Sequence, residues 1–180
     1  MKKSKLFFAF LAILAIAATV FKINSSIPKK LEELTSPDKN ITVTISEKSG
    51  NLVIESNRTN PLTIDYENNI EYGMSAFSSD SRYLFVVIEK AGKGDVGCRD
   101  FVENKSFVIN LQNIIRTSDE FKEFVNDSNI EEITDTSLSV RDIDINSIAT
   151  VAFSFRDQDN KLYLPFIMVN LYNQKVDGVK

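Results

Sequence analysis

Histidine and tryptophan are missing from this chain of 180 residues, and cysteine occurs once, at Cys98. Without an imidazole there is no Ser-His-Asp or Cys-His relay and no HExxH metalloprotease site, and nearly every structural zinc centre is excluded. One cysteine cannot form an internal disulfide. With six glycines and four prolines the chain is neither collagen-like nor of low complexity. What is present is 43% hydrophobic and 26% charged, with 13 Phe and 5 Tyr. That is a folding composition, and the length suits one domain.

The strongest pattern is N-terminal. Lys2, Lys3 and Lys5 precede residues 6–21, in which Thr19 is the one polar residue, and Lys22 follows. Leu6, Phe7, Phe8, Phe10, Leu11, Ile13, Leu14, Ile16, Val20 and Phe21 make an apolar segment flanked by cations. Such a segment is expected to be a transmembrane signal anchor, with its N-terminus cytoplasmic and the C-terminal domain outside. At about 1.5 Å per residue it spans roughly 24 to 27 Å, slightly under the hydrocarbon thickness, which Lys5 and Lys22 can offset by snorkelling. The alternative is a signal peptide cleaved near Ala17, after Ala15-Ile16-Ala17, giving a secreted protein. No cysteine follows the run, so lipid attachment there is excluded.

Export concentrates the acidity. Lys2, Lys3, Lys5 and Lys22 lie in the segment and no acid does, so 17 basic and 25 acidic residues remain, a net charge of −8. A chain of that charge outside the membrane is expected to bind no nucleic acid. The expected partners are the membrane, through the N-terminal helix, and another protein or envelope component.

Residues 23–40 read as a tether, with Pro28 opening a short helix over residues 29–34 and Pro37 ending it. From Asn40 the pattern alternates. Ile41, Val43 and Ile45, a Glu47-Lys48-Ser49-Gly50 turn, then Leu52 to Ile54 predict a hairpin. Residues 62–66 form a third strand. Residues 74–77 and 83–89 predict a second hairpin, and residues 106–111 another strand. Thr117 and Glu120 have capping-box spacing, with Phe121, Phe124 and Val125 as the apolar stripe of a helix over residues 118–125. Residues 137–140 and 148–155 read as strands, and residues 161–172 as a closing strand with Pro165 at a bulge or edge. The fold class is therefore α+β: a mostly antiparallel sheet domain over residues 41–180 with one or two packed helices, preceded by the N-terminal helix.

Ala76-Phe77-Ser78 and Ala152-Phe153-Ser154 each lead into a polar turn and an aromatic strand, 76 residues apart. Residues 77–84, Phe-Ser-Ser-Asp-Ser-Arg-Tyr-Leu, are similar to the hairpin that recurs in blades of TolB-like and WD40-like β-propellers. The likeness spans one hairpin. Two such units cannot close a propeller of four or more blades, and no family function is carried over.

Several motifs could carry chemistry. Gly92-Lys93-Gly94-Asp95-Val96-Gly97 is a formal G-x-G-x-x-G after an apolar strand, but no βαβ context follows. Gly92, Lys93, Gly94, Gly97, Cys98 and Arg99 are instead expected to form a mobile hairpin loop, with a ligand-contact loop as the alternative. Arg99 beside Cys98 could activate the thiol, or Cys98 could pair between molecules. Asp142, Asp144 and Asn146 mimic the opening of a calcium loop, yet Ser147 stands where glycine and Phe153 where glutamate is required, leaving Asp142 and Asp144 as weak metal candidates. Residues 117–146 carry nine acids against Lys122 and Arg141, an acidic face. Ser36-Pro37-Asp38-Lys39 fits S-x-x-K, but its S-D-N and K-T-G companions are absent. Carboxylate pairs remain open to a small hydrolase. No catalytic or cofactor-binding set emerges, and the expectation is an envelope protein whose exported domain is an interaction module. A structural subunit of an envelope-spanning assembly and a carboxylate-dependent hydrolase are the alternatives.

Overall fold

The computed structural model describes residues 28–48, 51–64, 70–90 and 93–180. They form a mostly antiparallel α+β fold built from three successive meanders and two short helices. The apolar run expected to be an anchor lies outside the described residues, and among those described no helix is long and apolar enough to cross a membrane.

The first sheet joins β1 (Lys29–Thr35), β2 (Thr42–Lys48), β3 (Asn51–Ser56) and β4 (Leu62–Ile64) in sequence order. The second joins β5 (Ile70–Phe77), β6 (Tyr83–Lys90), β7 (Lys93–Asp100) and β8 (Lys105–Ile109). Helices α1 (Leu111–Thr117) and α2 (Asp119–Asp127) follow. The third sheet contains β9 (Thr134–Ile143), β10 (Ile148–Arg156), β11 (Leu162–Tyr163), β12 (Phe166–Asn170) and β13 (Lys175–Val179). β11 and β12 pair with the same side of β10 in one continuous register, Arg156 with Leu162 and Ile148 with Asn170. They are one arm of a hairpin interrupted at Pro165, which has no N–H but whose carbonyl accepts from Phe153 N at 3.1 Å.

The sheets pack face to face through β6, whose side chains alternate between two cores. Leu84 and Val86 join Val43, Ile45, Leu52 and Ile54 of the first sheet. Phe85 and Val87 join Val151, Phe153, Phe155 and Ile167 of the third, with Phe121 of α2 edge-on to Phe153 and Phe155 at 5.4 and 5.8 Å. A strand buried on both faces reads as a continuous apolar run, as residues 84–88 do.

One turn unit recurs between strands. Before β2, Ser36 Oγ donates to Asp38 Oδ1 at 2.5 Å and accepts from Ile41 N at 3.0 Å, and Lys39 has φ of 62°. Before β6, Ser78 Oγ donates to Asp80 Oδ1 at 2.6 Å and accepts from Tyr83 N at 2.9 Å, and Ser81 has φ of 60°. The two turns touch, Asp38 N donating to Ser81 Oγ at 3.0 Å. Before β10 and β11 one-residue-shorter versions use Asp144 and Asp157, whose carboxylates accept from Ile148 N and Lys161 N, with Ser147 and Asn160 at φ of 64° and 62°. Local side-chain acceptors and a left-handed fourth residue thus fix each hairpin's register.

Three expectations change. Residues 29–34 are not a helix after a tether: Lys29–Thr35 is β1, paired with β2 around a bulge at Lys30/Glu32, because Leu31 and Leu34 are packed into the core between the first two sheets. Burial overrides the local helical spacing. The N-cap of α2 is Ser118, accepting from Phe121 N at 3.2 Å, rather than Thr117, which ends α1. The 76-residue echo does not relate equivalent strands, since Phe77 ends β5 while Phe153 lies inside β10.

Candidate interaction surfaces

Between the first and second sheets the packing is incomplete. Gly97 of β7 presents no side chain where Leu62, Ile54, Val86, Ile88 and Val108 converge, and a cavity of about 160 Å³ opens there. Its lining is apolar apart from Arg99 and Ser106, whose hydroxyl accepts from the Arg99 guanidinium at 3.0 Å. The adjoining strand β8 pairs with β7 and, among the described residues, with no other strand. It exposes Phe107 and Val108, the latter 64% accessible. An open strand edge beside an apolar groove can take an extended peptide: the edge supplies backbone hydrogen bonds and the groove one side chain.

A second surface is the outer face of the third sheet. The side chains of β10 that point away from the core are Ile148, Thr150, Ala152, Ser154 and Arg156. Beside them stand Leu162 (49% accessible), Leu164 (65%), Phe166 (51%) and half-buried Met168. Solvent-facing sheet surfaces are usually polar, so an apolar row of this kind is a candidate contact surface.

The residues singled out in the sequence are placed differently. Lys93–Asp100 is strand β7, laddered to β6 along its length and to β8 from Val96 onward, so the expected loop over Lys93, Gly94, Gly97, Cys98 and Arg99 is corrected to a sheet strand; Gly92 lies outside the described residues. Gly94 permits a close approach: a Cβ there would stand 2.8 Å from Leu138 Cδ2 of β9, so that side chain would have to shift. Cys98 is buried in the core between the second and third sheets. Burial, with the nearby Asp100 carboxylate adding to it, pushes its thiol up to about 12. Arg99 does not activate it, since adjacent strand residues point to opposite faces. We predict that iodoacetamide labels Cys98 only under denaturing conditions; rapid labelling of the native chain would contradict the burial.

Asp142 is exposed on β9 level with Thr150, while Asp144 is committed to its turn, accepting from Asn146 N and Ile148 N at 2.9 and 2.8 Å. Among the described residues no three acidic or thiol side chains converge as a metal site would require. Ser36 does not open a helix as S-x-x-K chemistry demands, because its hydroxyl is part of the turn unit. A polar hollow of about 340 Å³ lies where α2 begins, lined by Asp119, Glu120 and Lys175. Its two carboxylates are consecutive on the helix and point in different directions.

Arg82 and Asp100 were missed in the sequence. The Arg82 guanidinium grips buried Asp100 through Nε at 3.1 Å and Nη2 at 2.7 Å, and lies 4.9 Å over the Tyr83 ring. Asp100 Oδ1 accepts from Val102 N and Glu103 N at 2.9 and 3.0 Å, and so ties the β7–β8 loop to the β5–β6 turn.

Comparison with known protein families, characterised proteins and solved structures finds no match.

Proposed function

We propose that this chain is an anchored or secreted envelope protein whose sheet domain is an interaction module, holding an extended segment of a partner protein along β8 with one apolar side chain in the adjoining groove. The observation that carries this reading is the conjunction of the open β8 edge, exposed Phe107 and Val108, and the apolar cavity at Gly97. Export rests on the cationic start and apolar run of residues 2–22. The acidity of the remainder favours a protein or envelope partner over a polyanion.

The test is a photo-crosslinking amino acid placed at Val108 in the full-length chain within its own membrane. The expected result is one discrete adduct that weakens when Phe107, at the same edge and 40% accessible, is changed to Glu. The mass of the mature form, read from the same sample, decides between retention of the anchor and cleavage near Ala17. Equal adducts from probes at Val108 and at exposed Glu55, on the far face of the first sheet, would overturn the reading. The structural-subunit reading is favoured by one specific observation, the apolar outer face of the third sheet.

A further inference from the structure

The two ends of the stack of sheets are unlike. The outer face of the first sheet carries Glu33, Thr35, Thr42, Thr44, Glu55 and Thr63, with Val53 its aliphatic member; that face is a polar cap. The outer face of the third sheet is a row of Ala152, Leu162, Leu164, Phe166 and Met168 with no charge at its centre. Repeated sheets bury their apolar faces against neighbours, and a terminal unit is capped by polar residues. Here one end is capped and the other is not.

We propose that the outer face of the third sheet packs on the same face of a second copy, making a two-fold dimer capped at both ends. Head-to-tail stacking would press the apolar row onto Glu33, Glu55 and the threonines, so the isologous arrangement is the one the chemistry allows. Charge placement agrees. Among the exposed charges of β9 and β10, Asp142 stands level with Thr150, with Arg141 beside it at the bulge, and Arg156 lies six residues farther along β10. A two-fold axis across the strands near Ala152 brings Arg156 of each copy toward Asp142 of the other. The area is sufficient: four strands about 4.8 Å apart and the nine residues of β10 define a face of about 500 Å². Two such faces bury about 1,000 Å² in total, the area a specific interface must clear. An uncharged apolar centre with charges at the edge matches interface anatomy.

Because Cys98 is buried, an introduced cysteine reports alone. In the detergent-solubilised full chain, Ala152→Cys, close to the axis, is expected to form a covalent dimer on oxidation, while Thr44→Cys on the capped face is not. Phe166→Glu, at a position already half exposed, is expected to weaken the dimer at least about thirtyfold in sedimentation equilibrium. Asp142→Arg and Arg156→Asp should each weaken it and their combination restore it. A chain that sediments as a monomer at about 100 µM overturns the proposal. So does a dimer that survives Phe166→Glu, which would place self-association in the N-terminal segment, or one that crosslinks through Thr44→Cys. Failure here leaves the β8 groove untouched, and the reverse holds as well.

Discussion

Replacing Phe85 by Ala is expected to destabilise the protein by about 3–5 kcal/mol and to lower its thermal midpoint by roughly 10 °C. The ring is 1% accessible, packs beside Cys98 and Val96, and lies 6.0 Å from the Tyr83 ring. Its removal opens a cavity in a core shared by two sheets and α2, which cannot close without shifting backbone. The neighbouring change Leu84→Ala should cost about 2–5 kcal/mol, although Leu84 belongs to the other core, between the first and second sheets. β6 carries both residues, so neither core can come apart without loosening the strand that holds the other. Both variants are therefore expected to melt in one transition by circular dichroism and calorimetry. Two separate transitions in the Leu84→Ala variant, with one retaining the parental midpoint, would show that the cores are independent.

The same strand shows what was legible in the sequence. Its apolar run and the polar segment 78–81 predicted a hairpin, and the hairpin is present because the turn's hydrogen bonds are local to residues 78–83. Pro165 was readable for the same reason, as the missing donor acts at its own position. The helix read over residues 29–34 failed because Leu31 and Leu34, three apart, suit a helix face and reach the core from a strand only through the bulge at Lys30/Glu32, which only the distant core decides. The glycine motif failed differently. Gly94 lies where β7 passes close to β9 and Gly97 lines the groove, and neither setting is visible within six residues of sequence. One signal was available and unused: Ser36-Pro37-Asp38 and Ser78-Ser79-Asp80, 42 residues apart, announce the repeated turn that the 76-residue echo obscured. The interaction surfaces were illegible as such, since exposure of Phe166 or Val108 is a property of sheet stacking.

Asp100→Ala is expected to cost about 2–3 kcal/mol, because it leaves the backbone N–H groups of Val102 and Glu103 without their acceptor and half-buried Arg82 without its partner. Four donors converge on this carboxylate: Nε and Nη2 of Arg82 and the backbone N–H groups of Val102 and Glu103. Asp100→Asn keeps an oxygen for the two backbone donors and should cost less, leaving the Arg82 charge as the main loss. The sign of the pH dependence follows. Burial alone would raise the Asp100 carboxyl, but the Arg82 hydrogen bonds and the two N–H donors outweigh it and hold it below the ordinary aspartate value. A carboxyl lowered on folding contributes stability that is complete above the unfolded value of about 4 and is lost as pH falls through the folded one. Asp38 is held low by the Ser36 and Asn40 side chains, and Asp157 by the Lys161 and Asp159 backbone donors against the opposing effect of burial. All three sit in the hairpin turns or loops that set register, so acid should release the three sheets together, below about pH 4. In urea titrations the stability gap between the parent and Asp100→Asn should be constant from pH 8 to about 5 and narrow toward pH 2. A gap that stayed constant to pH 2 would mean that the ionised carboxylate is worth no more to the fold than a neutral amide.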